Sequence, residues 1–203
     1  MGIMEPITTR GAKPVRFGLT VDEFEEFTNA RPDAERRWQL IDGMATLMTP
    51  PNDVHIEIAY NLTRVLDAIF ESRGASLRAR GEVGVRIPGV DDFEAVADVA
   101  VLASPPSFSS YPGNIVLTAE VLSSSNTIGE METKGRRYAE LPDNLHILLV
   151  EQRAVSAVLA SRSSDWKPVA YEGYDAIIPL DGLGGSIRLG DLYANTPLAE
   201  DRA

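Results

Sequence analysis

The sequence contains no cysteine and only two histidines among its 203 residues. Without cysteine, disulfides and thiolate-bound metals are excluded. Two histidines are also too few to favour a multi-histidine zinc site. The metal chemistry that remains open to the chain uses hard oxygen ligands from carboxylate and amide side chains, which suit cations such as Mg²⁺.

Long apolar runs are absent as well. No stretch reaches the roughly 18 apolar residues of a membrane-spanning helix, and Met1 to Arg10 lack the apolar core of a signal peptide. The motifs of phosphate-binding loops, dinucleotide-binding folds and serine hydrolases are missing, and the glycine-rich segment 182–185 predicts a turn. These absences favour a cytoplasmic protein without a membrane partner.

Positive charge is scarce. Nineteen lysines and arginines stand against 30 acidic residues, so the net charge is −11. Because phosphate contacts supply most of the non-specific affinity for nucleic acid, this balance weighs against unaided tight binding to DNA. Several arginines nevertheless cluster in the middle of the chain, where they indicate either a local basic surface or, as the simpler interpretation, solvated side chains. They are Arg64, Arg73, Arg78, Arg80, Arg86, Arg136 and Arg137.

Two apolar stretches in the middle of the chain each carry one acidic residue. Residues 95–102 and 114–122 have the composition of buried strands, with Asp98 in the middle of the first and Glu120 near the end of the second. A lone carboxylate is costly to bury unless something pairs with it. Two such strands in succession therefore suggest that one cation satisfies both acids.

A helix is predicted directly after the second strand. Thr127-x-x-Glu130 is typical of a capping box, and with 3.6 residues per turn Glu130, Lys134 and Tyr138 lie on one stripe. Lys134 can thus approach the strand ends, where two metal-binding carboxylates and a lysine would suit phosphodiester hydrolysis. The alternatives are structural: hydrogen-bonded acids, an exposed Glu130–Lys134 pair and a tyrosine that only packs.

Several short segments recur in an order and spacing that a known family shares. They are Leu19 to Phe24, Trp38 to Gly43, His55 at the start of a long helix, Ala97-Asp98-Val99, Ala119 to Ser123, and Lys134-x-x-x-Tyr138-Ala139. Together they resemble the Uma-type family of putative restriction endonucleases, which belongs to the PD-(D/E)xK nuclease superfamily. The resemblance implies a restriction-endonuclease-like α/β (α+β) fold, with a mixed central sheet flanked by helices and an antiparallel extension. It also implies a Mg²⁺ (or Mn²⁺) cofactor, a DNA substrate and, by analogy with nucleases that cut both strands, a homodimer.

The resemblance also implies roles for five residues. Asp98 and Glu120 would bind the metal, and Lys134 would position the attacking water. Gln39 would lie at the metal or directly behind its ligands. His55 would contact the substrate phosphate or a metal-bound water, although a structural hydrogen bond at the start of its helix explains this histidine equally well.

The chain departs from the family pattern at three positions. Leu122 stands where the superfamily usually has its lysine, so that role passes to Lys134. Ala97 replaces a proline that only fixes the backbone before the acid. Gln39 replaces a glutamate; an amide still offers an oxygen but brings no negative charge. The sequence therefore supports a metal-dependent endonuclease and, as the alternative, a nuclease-fold protein with a weakened site that acts as a binding or regulatory module.

The whole chain predicts one domain. Residues 1–17 predict a mobile arm, 18–194 a single nuclease-like domain and 195–203 a loose tail. Residues 104–113 predict a connector or a mobile flap. The expected elements are a helix over about 20–29, a hairpin turning at Asp42-Gly43, a helix ending at Gly74, strands over 82–87 and 145–150, and sheet-extending strands over 154–160, 166–171 and 176–179.

Overall fold

The computed structural model describes residues 18–31, 37–123 and 127–199. The arm predicted for residues 1–17 lies outside these ranges, as do residues 200–203 at the end of the predicted tail. Within them the helices are α1 (Val21–Asn29), α2 (Asp53–Ser72) and α3 (Ile128–Ala139). The strands are β1 (Trp38–Ile41), β2 (Met44–Leu47), β3 (Arg78–Arg86), β4 (Glu94–Leu102), β5 (Ile115–Leu122), β6 (His146–Glu151), β7 (Ser156–Ser161), β8 (Pro168–Glu172), β9 (Ile177–Leu180) and β10 (Gly185–Arg188). Short 3₁₀ helices cover Arg162–Ser164 and Leu189–Tyr193.

Eight of these strands form one mixed sheet. The order is β2, β1, β4, β5, β6, β7 and β8, and β3 also pairs with β4. Strands β5 and β6 run parallel and are connected through α3, whereas the other neighbours are antiparallel. The molecule therefore has the predicted mixed α+β architecture, with β7 and β8 as the antiparallel extension and the acid-bearing strands β4 and β5 in the centre.

Helix α2 forms because apolar residues recur on one of its faces. Four buried side chains at a spacing of four residues pack on the sheet in the larger of two hydrophobic cores. The Asn52 side chain caps the helix by accepting a hydrogen bond from the backbone N–H of His55 (3.0 Å). This places His55 in the first turn, as the sequence predicted. The four buried residues are Ile58, Leu62, Leu66 and Phe70.

Helix α3 lies on the other face of the sheet. Alternate residues of a strand point to opposite faces, so Glu120 faces away from the core that Ala119 and Val121 share with α2. The β1–β2 turn is tied to α3, because the Asp42 carboxylate accepts hydrogen bonds from Arg136 (2.7 Å) and Arg137 (2.9 Å). This pairing fixes the helix over the strand that carries Glu120.

The regular alternation of side chains between the two faces of the sheet breaks in strand β4 near Asp98. Ala97 packs in the smaller core, whereas Val99, two residues further along, packs in the larger one. A regular strand keeps such residues on one face, so the backbone must be irregular here. The β3–β4 register places Glu82 opposite Asp98, and Glu82 has a positive φ of 54°. The irregularity turns Val99 toward the face of the sheet on which α2 packs.

The last part of the domain departs from one prediction. Residues 176–179 were expected to extend the main sheet, but β9 pairs with β10 in a separate two-stranded sheet, so that prediction was wrong. The physical reason is that Ile178 and Ile187 are both buried in the core beside α2. These strands cover the core instead of prolonging the sheet edge. Residues 195–199, at the start of the predicted tail, form turns in which Leu198 packs against the same core.

Candidate active site

The centre of the candidate site is a buried carboxylate held by a buried lysine. The Lys134 ammonium lies 3.1 and 3.2 Å from the two carboxylate oxygens of Glu120 and donates a further hydrogen bond to the Val96 carbonyl (3.2 Å). Only 5% of the Glu120 side chain and 3% of the Lys134 side chain are exposed. The Lys134 ammonium is therefore held by one carboxylate and one backbone carbonyl. The alternative of an exposed Glu130–Lys134 pair does not form.

Tyr138 completes this arrangement. Its hydroxyl donates a hydrogen bond to Glu120 Oε1 (2.6 Å) from one turn beyond Lys134. Burial and the neighbouring Glu120 carboxylate raise the pKa of Tyr138 well above its ordinary value, so the hydroxyl keeps its proton and remains a donor. Sequence reasoning treated Tyr138 as packing, although the i, i+4 spacing from Lys134 already placed both on one face.

Glu120 itself titrates near neutral pH. Burial raises the pKa of its carboxyl to about 7; the charge of Lys134 opposes this rise, while the charge of Asp98 adds to it. The Asp98 contribution shows that the two carboxylates are electrostatic neighbours. A carboxyl of this kind is poised between neutral and ionised forms, which is common at functional sites.

Asp98 faces the start of α2. Its Oδ1 lies 3.2 Å from His55 Nε2, and its Oδ2 accepts a hydrogen bond from the backbone N–H of Val121 on the next strand (2.7 Å). About 19% of the Asp98 side chain is exposed, so this carboxylate is the more accessible of the two. The structure thus places His55 beside one predicted acid and Lys134 beside the other.

His55 is held in a negative environment. Burial alone lowers the pKa of its imidazole, but the hydrogen bond and charge of Asp98 outweigh burial, with additional contributions from Glu120 and Glu82, so the pKa lies above its ordinary value. The buried Nδ1 of His55 makes no hydrogen bond within the described part of the chain. Glu82 was not singled out in the sequence, because its proximity follows from the irregular pairing opposite Asp98.

Gln39 lies on β1, the strand beside β4. Its side chain is buried, and its Oε1 accepts a hydrogen bond from the backbone N–H of Val96 (3.0 Å) on β4. The amide thus links β1 to the strand that carries Asp98. Because Val96 also offers its carbonyl to Lys134, one backbone position connects Gln39 with the lysine.

The donor set suits a hard divalent cation. Each oxygen of Asp98 and Glu120 can accept more than one contact, so their existing hydrogen bonds leave acceptor capacity. Among the described residues no three His, Cys, Asp or Glu side chains converge as a ready-made metal cage. Mg²⁺ does not need one, since it is usually bound by one or two carboxylates together with waters and substrate phosphates.

The fold is shared with a protein of known structure. A similar solved structure is that of a putative nuclease belonging to DUF820 from Anabaena variabilis ATCC 29413, with a TM-score of 0.70 and 17% sequence identity. The alignment covers 86% of this chain and 97% of that one. At this identity the similarity establishes the fold alone.

The family is defined by the sequence itself. Residues 21–190 match the model of the Uma2 family, described as "Putative restriction endonuclease". Because the match spans most of the chain, the protein belongs to the Uma2 family, as the short segments in its sequence indicated. No curated protein matches the chain. No helix among residues 18–31, 37–123 and 127–199 is long and apolar enough to cross a membrane.

Proposed function

We propose that the chain is a divalent-metal-dependent endonuclease that hydrolyses phosphodiester bonds of DNA. The observation that carries this proposal is the buried Glu120–Lys134 pair, with Asp98 on the neighbouring central strand close enough for its charge to raise the pKa of Glu120. Membership of the Uma2 family supports the same chemistry. The proposal includes action as a homodimer in the cytoplasm, by analogy with nucleases that cut both strands.

Each side chain has a distinct part in this proposal. Asp98 and Glu120 would hold Mg²⁺ or Mn²⁺, which when bound lowers the pKa of a water and offsets charge that develops on the phosphate. Lys134, fixed by Glu120 and the Val96 carbonyl, would orient the attacking water. Tyr138 holds the Glu120 carboxylate in place by donating to it.

His55 would serve the substrate side of the site. It lies next to the accessible carboxylate, and its raised pKa favours the protonated form, which can donate to a phosphate oxygen. Gln39 supports β4 from behind through its bond to Val96. It would influence the metal through the position of the strand.

Cleavage and metal binding can be tested on one set of variants. The full chain would be incubated with supercoiled plasmid and single-stranded DNA in Mg²⁺ or Mn²⁺, and metal binding would be measured by calorimetry. We expect Asp98→Asn and Glu120→Gln to reduce cleavage by at least roughly a hundredfold, since each loses a charged metal ligand. Asp143→Asn, in an exposed turn after α3, is the matched control and should behave as the native chain. If the two site variants bind metal and cleave as well as the control, the proposed site is wrong.

A non-catalytic module is the second candidate, and the neutral side chain at position 39 favours it. Gln39→Glu separates the two, because a glutamate can still accept from Val96 while adding the charge that the family commonly has. An attenuated enzyme should gain metal affinity and cleavage in this variant. If neither increases, position 39 does not influence the metal. A native chain that also fails to bind metal or cut DNA would then support the binding module.

A further inference from the structure

A pocket of about 380 Å³ adjoins the candidate active site. Leu122, two residues after Glu120 on β5, lines it, and so does Met131, three residues before Lys134 on α3. The β5–β6 register pairs Glu120 with Leu149 and Leu122 with Glu151. The pocket therefore lies on the same sheet face as Glu120, directly beyond it at the carboxyl ends of the two parallel strands, where ligands of α/β folds commonly bind. Its volume is within the roughly 300–1,000 Å³ of small-molecule sites.

The lining combines an apolar floor with two carboxylates. Leu122, Leu149, Met131 and Ile128 provide the apolar surface, Glu132 and Glu151 provide the carboxylates, and Ser123 and Thr127 add two hydroxyl residues. Within the described ranges, neither of these two glutamate side chains has a hydrogen-bond or ion-pair partner, whereas Glu120 next to them has three such bonds. An ionised carboxylate can only accept hydrogen bonds. The pocket thus offers a flat apolar group a surface to pack on and offers N–H groups two charged acceptors.

We propose that this pocket receives an unpaired nucleobase with an exocyclic amino group, adjacent to the phosphate that is cleaved, and that Glu132 and Glu151 accept its N–H groups. This inference rests on the proposed endonuclease function. Cytosine and adenine present amino donors, and pairing of a carboxylate with cytosine N4 is an established mode of base recognition. Thymine presents carbonyl oxygens, which the carboxylates repel. A base can enter only when it is outside a duplex, so the substrate would be single-stranded or locally opened DNA.

The methionine methyl groups provide a direct readout that does not depend on cleavage. The chain has five methionines. Met131 lies in the pocket, and Met44, which is 69% exposed on β2, serves as a reference. The full chain, labelled with ¹³C at the methionine methyl groups, would be titrated in EDTA with short oligonucleotides of dC, dA or dT. The variant Met131→Leu assigns the pocket signal.

We expect the dC and dA oligonucleotides to shift the Met131 signal saturably and to leave Met44 unchanged, with dT binding at least about tenfold more weakly. Glu132→Gln and Glu151→Gln should each weaken binding of dC by about tenfold or more, because each replaces a charged acceptor with a weaker neutral one. Glu71→Gln, an exposed glutamate at the far end of α2, is the control. Equal shifts with dT, or undiminished binding in both glutamine variants, would overturn the proposal.

The pocket and the endonuclease function can fail separately. A chain that cuts DNA in Mg²⁺ while no oligonucleotide shifts Met131 refutes the nucleobase pocket and leaves the proposed function intact. A chain that binds dC selectively at Met131 but never cuts DNA supports the pocket and refutes the endonuclease, which then favours the binding module.

Discussion

Lys134→Met tests whether the buried lysine is held by the ionised form of Glu120. The substitution keeps the length and packing of the side chain but leaves the Glu120 carboxylate with Tyr138 as its remaining side-chain donor. Removing one partner of a buried ion pair typically costs about 3–5 kcal/mol, because the other charge stays buried and uncompensated. We expect a loss of that size in the free energy of unfolding at pH 8.

The loss should depend on pH in a defined direction. The folded pKa of Glu120, about 7, lies above its ordinary value of 4.5, so the folded protein binds more protons than the unfolded chain between these values. Stability from this group is therefore fully present below about pH 4.5 and is lost as pH rises through 7, by roughly 3 kcal/mol in all at about 1.4 kcal/mol per pKa unit. Without the Lys134 charge the Glu120 pKa rises further. At pH 5.5 the carboxyl is neutral in both proteins, so the effect of the substitution should shrink to about 1 kcal/mol.

Urea unfolding followed by circular dichroism, in EDTA and at pH 5.5, 6.5, 7.5 and 8, measures this directly. Lys167→Met is the matched control, because Lys167 is exposed before β8 and the change there should be within about 0.5 kcal/mol at every pH. A cost of Lys134→Met that stays constant across the series would refute the reasoning, since it would show that Glu120 does not change its charge in this range.

Four further substitutions test separate parts of the structure by the same unfolding assay. Tyr138→Phe should lower the free energy of unfolding by about 1–3 kcal/mol, because it removes the hydrogen-bond donor to a buried carboxylate while keeping the ring. A change below about 0.5 kcal/mol at pH 8 would mean that the hydrogen bond to Glu120 does not stabilise the fold. Burial lowers the pKa of His146, so the stability that the neutral imidazole contributes is present above its ordinary pKa of 6.5 and is lost as pH falls below that value. His146→Gln should therefore lower the free energy of unfolding less at pH 5.5 than at pH 7.5. The opposite trend would contradict the lowered pKa. Gly84→Ala should destabilise the fold by about 1–3 kcal/mol, because a Cβ there would come within 2.3 Å of a backbone carbonyl oxygen. Gly135→Ala, in open space on α3, should instead stabilise the fold by up to about 1 kcal/mol. Equal effects of the two substitutions would argue against the close approach at Gly84.

The central residues of the candidate site stand out in the sequence because their signals are local. Asp98 and Glu120 stand out as single charges in otherwise apolar strands, and the helical spacing after Thr127 placed Lys134 within reach. Buried side chains of these types are rarely left unpaired, so composition alone indicated a shared site. The structure adds that Lys134 pairs directly with the buried Glu120 carboxylate.

The residues that sequence did not explain depend on contacts between distant segments. The approach of His55 to Asp98 joins the start of α2 to β4, where the strand is irregular opposite the positive φ of Glu82. The bond from Val96 to Gln39 depends on the packing of β1 beside β4. Periodicity within one strand carries no information about such irregular pairing, so these parts could not have been derived from the pattern of residues.

The arrangement of positive charge bears on how a nucleic acid can be held. An arginine already bonded to a carboxylate gains little by moving to a phosphate, because one charge-assisted bond replaces another and the freed carboxylate then repels the polyanion. Recognition by phosphate contacts alone would therefore be weak, and a base in the pocket beside Glu120 would supply affinity that does not depend on counterion release. Four of the arginines clustered in the middle of the sequence are bonded to carboxylates within the described structure: Arg80, Arg86, Arg136 and Arg137. Two others have different partners: Arg78 bonds the Ser104 carbonyl, and Arg64 lies over the ring of Tyr60.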